Sequence, residues 1–184
     1  MVSPYFLTGY SLPTHYSGTN SIALDSFSRP HISYCSRNTQ YLGCKCDDLK
    51  YAWYDGFRWN IETLDTEGNV GDFNSLVLRG DKPHISYYDS SKGDLKFFYK
   101  DALGGGHIQT IDSVGDVGKD SSMVWGYDRF HINYLDATNN FLKYARSSGG
   151  SWIIETIDNN GDTGYYGSID YCMSSPPGAP RIIY

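Results

Sequence analysis

Three short stretches of the chain repeat one pattern: Pro30-His31-Ile32-Ser33-Tyr34, Pro83-His84-Ile85-Ser86-Tyr87 and Phe130-His131-Ile132-Asn133-Tyr134. Each lies in a longer block that also recurs, opened by Ser21, Ser75, Ser122 and Ser168 at spacings of 54, 47 and 46 residues. A period of this length marks an array whose units bury their apolar faces only against their neighbours. The repeat therefore constrains the architecture tightly and leaves the chemistry open.

Aligned, the blocks share a grammar of four short segments. The first is Ser21 to Leu24, with counterparts Ser75 to Leu78, Ser122 to Trp125 and Ser168 to Tyr171. The His-Ile-Ser-Tyr segment follows after a turn. Then come Leu49 to Trp53, Leu95 to Tyr99 and Leu142 to Ala145, and after a Gly-rich turn Trp59 to Leu64, His107 to Ile111 and Trp152 to Ile157. Period-2 alternation and turn residues at each boundary predict strands, and no segment carries a helical period. The links inside a block are short, as in antiparallel hairpins. The link to the next block is longer and Gly-rich: 65–74, 112–121 and 158–167. Four strands with one long return describe a propeller blade, whose outermost strand hands the chain to the innermost strand of the next.

On these motifs the chain resembles bacterial and archaeal β-propeller repeat proteins with a Pro-His-Ile-Ser-Tyr-Tyr-Asp type motif, over roughly residues 20–184. The expected fold is all-β: one β-propeller domain of four-stranded antiparallel blades, about four in 184 residues. Blade 1 spans about 21–65, blade 2 about 75–112, blade 3 about 122–158, and blade 4 about 168–184, completed by 3–16. Such a shared blade closes the ring and removes exposed edges. A piece of a larger propeller, or two copies forming a ring of about eight blades, are the competing arrangements.

Cysteines stand at Cys35, Cys44, Cys46 and Cys172. Cys44 and Cys46 fall in the insertion that lengthens the first block. An even count in such a β protein points to an oxidising, extracellular or cell-surface setting. If first and last blades adjoin, Cys172 would bond a first-blade cysteine, leaving Cys35 with Cys44 or Cys46. In size and in this staple the chain is similar to hemopexin-like four-bladed propellers. A zinc site from these cysteines and a histidine is disfavoured, because Cys-x-Cys lacks paired zinc-ligand spacing.

Composition removes several function classes. The net charge of −6 disfavours phosphate backbones, so nucleic acid is not an expected partner. No apolar run approaches the roughly 20 residues needed to span a bilayer, and Met1 to Pro13 does not read as a signal peptide. Phosphate loops, nucleophile elbows and the sialidase Ser-x-Asp box are lacking, so no enzyme is expected. His31, His84 and His131 recur at one strand position and read as structural imidazoles hydrogen-bonded between blades rather than metal ligands. Asp65, Asp112 and Asp158 open Gly-containing links. Tight turns explain them better than calcium, which remains the one cofactor these loops suggest.

Aromatic residues make up 16% of the chain and carry the functional expectation. Exposed Trp and Tyr beside Asn, Asp and Arg suit sugars, which offer apolar C–H faces together with hydroxyls. Tyr54, Phe57, Trp59, Tyr88 and Trp152 are the expected ligand-binding set. The expected function is a non-catalytic extracellular module that binds glycan. An extracellular scaffold or protein–protein platform, with self-association, is the alternative; a propeller fragment of a glycan-acting enzyme is the third reading.

Overall fold

A computed structural model describes residues 19–36, 46–172 and 178–184. Among them the chain is all-β: three four-stranded antiparallel sheets and one two-stranded sheet. The first sheet runs β1 (Asn20–Leu24), β2 (Pro30–Ser36), β3 (Asp48–Tyr54), β4 (Trp59–Asp65); the second β5 (Val70–Arg79), β6 (Lys82–Asp89), β7 (Asp94–Lys100), β8 (Gly106–Asp112). The third runs β9 (Val117–Gly126), β10 (Arg129–Asp136), β11 (Phe141–Ser148), β12 (Ser151–Asp158), and β13 (Ser168–Cys172) pairs with β14 (Ala179–Ile183). Strand order follows chain order in every sheet, so each is a meander. These are propeller blades: three complete, and the inner half of a fourth. Residues 3–16, expected to complete the fourth, lie outside the described residues.

The first two inter-blade links are shorter than the sequence suggested. β5 and β9 begin at Val70 and Val117, inside the expected loops. Each crosses register shifts against its partner before settling into the ladder. The cause is a close approach. Gly71 and Gly118 have φ of 99° and 106°, and a Cβ there would come within 2.9 Å of Leu49 Cα and 2.8 Å of Leu95 Cα. Glycine lets the incoming strand lie against the third strand of the blade before it.

Blades pack face to face through two apolar clusters. Leu49 and Tyr51 of blade 1 meet Val70, Leu76, Ile85, Tyr87 and Phe98 of blade 2. Leu95, Phe97 and Ile111 of blade 2 meet Val117, Met123, Phe130, Ile132, Tyr134 and Ala145 of blade 3. Burying each large side chain contributes about 1.5–3 kcal/mol.

Polar repeats lock the same joints. Ser21 Oγ accepts the Leu76 N–H at 3.0 Å, Ser75 Oγ that of Met123 at 3.0 Å, and Ser122 Oγ that of Ile169 at 3.3 Å. The serines that open the first three blocks therefore tie their inner strands to the next blade. At the outer strand, Asp65 accepts from Tyr87 Oη at 2.7 Å and Lys96 Nζ at 2.6 Å, and Asp112 accepts from Tyr134 Oη and Lys143 Nζ. Asp158 accepts from Tyr184 Oη at 2.8 Å. The link aspartates thus take up the next blade's tyrosine, and at the first two joints its lysine, as well as capping turns through Glu67, Val114 and Asn160 N–H groups.

Cys35 and Cys46 form a disulfide. This is one of the two pairings expected for Cys35; Cys172 lies on β13, and Cys44, the first-blade cysteine left for it, lies outside the described residues.

Candidate functional site

The β1–β2 and β3–β4 turns, with their counterparts in each blade, lie at one end of the molecule, because successive hairpins reverse direction. Two clefts open there, one at each complete joint, and their chemistry differs.

Between blades 1 and 2 lies a cavity of about 270 Å³ lined by Asp25, Arg29, His31, Tyr51, Trp53, Tyr54, Asp55, Asp81, Lys82, Pro83 and Lys100. Its charges are spent inside the protein. Arg29 donates to Asp25 Oδ2 at 2.7 Å and to the Asp55 carbonyl at 2.9 Å. Lys82 donates to the carbonyls of Asp101 and Ala102, Lys100 pairs with Glu62, and Ser26 bridges to Asp81 across the joint. Burial raises the Asp25 carboxyl, but hydrogen bonds from Arg29, Phe27 and His31 outweigh it and bring it down to about 2. The cleft is cross-linked by its own residues.

Between blades 2 and 3 the cavity is larger, about 720 Å³. Blade 2 contributes Arg79, His84, Phe97, Tyr99 and Gln109; blade 3 contributes Trp125, Tyr127, Asp128, Arg129, Phe130 and the turn from Ser147 to Trp152. Its walls are aromatic and interlocked. Phe97 meets Trp152 edge-on at 5.1 Å, Trp125 leans on Phe130 at 4.6 Å, and His84 stacks on Phe130 at 4.6 Å. Gln109 Oε1 accepts the Trp152 indole N–H at 3.2 Å and holds that ring. Arg79 lies 4.3 Å over the Trp125 ring. Neither Arg79 nor Arg129 has a carboxylate partner among the described residues. Guanidinium donors on aromatic walls, with none of the first cleft's ion pairs, are what a polar ligand with an apolar face requires.

Asp128 is the one carboxylate on the described lining of this cleft. His84 is neutral at pH 7: burial takes its pKa down to about 4, and its Nδ1–H donates to the Lys82 carbonyl at 3.0 Å.

At the third joint the corresponding space is filled. Tyr171 stands where a Cβ on Gly126 would be, 2.2 Å from the tyrosine Cγ, and its ring lies 5.2 Å from that of His131. The repeated histidines are buried, as expected. His131 Nε2–H donates to the Gly126 carbonyl and its Nδ1 accepts from Tyr144, while His31 Nδ1 meets the Tyr51 hydroxyl. Each histidine thus bonds within its own blade rather than across the joint.

The five expected ligand residues are dispersed. Trp152 alone lines the larger cleft. Tyr54 lines the smaller one. Phe57 projects from the β3–β4 turn at 93% exposure, and Trp59 borders a shallow hollow on the outer face of blade 1. Tyr88 is buried, with its hydroxyl donating to Asp116 at 2.6 Å. The sequence reading missed Arg79, Arg129 and Gln109. A signal existed: Arg79 occupies the repeat position of Asp25 and Gly126, and Gln109 lies on a fourth strand that varies between blocks.

No family model matches the chain, and no curated protein matches it in sequence. Among solved structures, it is similar to a triple arginine-to-alanine mutant of AofleA from Arthrobotrys oligospora, with a TM-score of 0.59 and 16% identity. That match covers 90% of this chain and 49% of the other, so the chain spans about half of AofleA. A fucose lectin from Kordia zhangzhouensis in complex with methyl-fucoside aligns with a TM-score of 0.47 and 15% identity, over 74% of this chain and 97% of that one. The fold is a β-propeller.

Proposed function

We propose that the protein is a non-catalytic carbohydrate-binding module, and that its primary site is the cleft between blades 2 and 3. The observation carrying this is the pairing of aromatic walls, Trp125, Trp152 and Tyr99, with Arg79 and Arg129, guanidiniums that no carboxylate of the described protein engages. A pyranose places its C–H face on an indole and its hydroxyls on guanidinium and amide groups. The volume of about 720 Å³ accommodates a mono- or disaccharide. Hydrolysis of a glycosidic bond by the usual route needs two carboxylates flanking it, and the described lining offers Asp128 alone. The disulfide between Cys35 and Cys46 supports an oxidising setting, and with it extracellular action on surface glycans.

A glycan array followed by calorimetry on the best ligand tests this reading. Trp152→Ala and Arg79→Ala are each expected to weaken binding at least about tenfold, in line with the loss of one aromatic or charged hydrogen-bonding anchor. Trp59→Ala, outside the cleft, is expected to leave binding unchanged. Silence across the array, or binding that survives both cleft substitutions, overturns the proposal.

A further inference from the structure

The joints between blades share one serine register, and among the described residues the blade series carries one further half-joint at each end. On blade 1, the described residues of the face that would receive a preceding blade are exposed. Ile22 is 65% exposed where its counterparts Leu76 and Met123 are 5% and 6%. Ile61 and Leu24 are also exposed, and Ile32, Tyr34, Ala52 and Trp59 border a hollow of about 400 Å³ on the same face. At the other end, the described residues of the β13–β14 face that would meet a following blade are exposed too. Ser168 is exposed, although Ser21, Ser75 and Ser122 each reach the next blade's backbone. Ile183, at the position of buried Ser33, Ser86 and Asn133, is 79% exposed.

We propose that these two faces join between chains: a second copy of this protein seats its blade 1 against the last blade of the first, and the reverse contact closes a ring. The register is set by the serine series, in which Ser168 Oγ of one copy accepts the Ile22 N–H of the other, as Ser122 accepts that of Ile169 within the chain. The two faces are unlike each other and match in the repeat, so the contact is heterologous and closes when the rotation per blade sums to a full turn. An exposed sheet face of this kind is costly to leave in water, since it combines β-branched residues with a flat surface.

Light scattering coupled to size exclusion is expected to give twice the 20.7 kDa of one chain. A single-chain mass at about 100 μM, where even weak specific dimers form, overturns the proposal. Ile22→Lys combined with Ile61→Lys is expected to return the single-chain mass while leaving the β-sheet circular dichroism and the sugar binding of the blade 2–3 cleft intact; a dimer that persists in this variant also overturns it. Should the lysine variant misfold, Ser168→Cys with Ile22→Cys carries the test, using a short thiol cross-linker with the unmodified protein alongside. A covalent two-chain species supports the joint between copies. A cross-link confined to one chain shows that the protein closes on itself and rejects it.

Discussion

Single side chains decide what each joint can hold. At one repeat position stand Asp25, Arg79 and Gly126, and the three joints differ accordingly: an ion-paired cleft, an aromatic cleft lined by guanidiniums that pair with no described carboxylate, and a space occupied by Tyr171. Gly126 is not in a left-handed conformation; it is glycine because a tyrosine ring needs the room. Gly126→Ala is therefore expected to destabilise the chain by about 1–3 kcal/mol, read from a denaturant midpoint at unchanged slope. His84 gives the molecule a pH dependence. Burial lowers its folded pKa from 6.5 to about 4, so the folded state favours the neutral ring. That contribution is complete above pH 6.5 and is lost as pH falls from 6.5 toward 4, because the unfolded chain takes the proton first. Urea unfolding between these pH values should show a flatter stability limb in His84→Gln than in the parent. Parallel limbs would mean that His84 is charged in the fold.

Elements are joined by a motif that spans two of them. A link aspartate at the end of one blade's fourth strand accepts from a tyrosine and a lysine on the second and third strands of the next. Burial raises the Asp65 and Asp112 carboxyls, but the lysine, tyrosine and backbone donors outweigh it, and both lie below the ordinary carboxylate range. The same contact pushes the Tyr87 and Tyr134 hydroxyls up, through burial first and the neighbouring carboxylate second. The stability contributed by the aspartates is complete above about pH 3.8 and disappears as pH falls through their lowered folded values. Lys96 and Asp65 are almost wholly buried, so Lys96→Met strands a charge. A loss of about 3–5 kcal/mol is expected in equilibrium unfolding, more than an exposed pair would cost. Blade 1 carries the same tyrosine and lysine, Tyr34 and Lys50, but Lys50 turns instead to Thr63 and Asp48 of its own blade. That redirection is the element-scale mark of the open end.

Among the described residues, each blade packs chiefly against its neighbours, so the core is divided by joint rather than shared. Ile85 and Ile132, both fully buried, belong to different clusters. Each Ile→Ala change should cost about 2–5 kcal/mol, and the double variant should equal the two losses together to within about 0.5 kcal/mol. A large coupling would point to one continuous core. Among the described residues, the order and antiparallel pairing of strands were legible in the chain, because an apolar period of two and a 46–54-residue repeat leave few other ways to bury these faces. The burial of the histidines was legible for the same reason, since a residue recurring at one register position inherits one environment. The candidate site was not. Trp152 and Arg79 lie 73 residues apart and become neighbours only when blade 3 packs on blade 2, while Tyr88, equally aromatic on paper, turns inward to Asp116. Periodicity determines which way a side chain leaves its strand; only the stacking of one sheet on the next decides what it meets there.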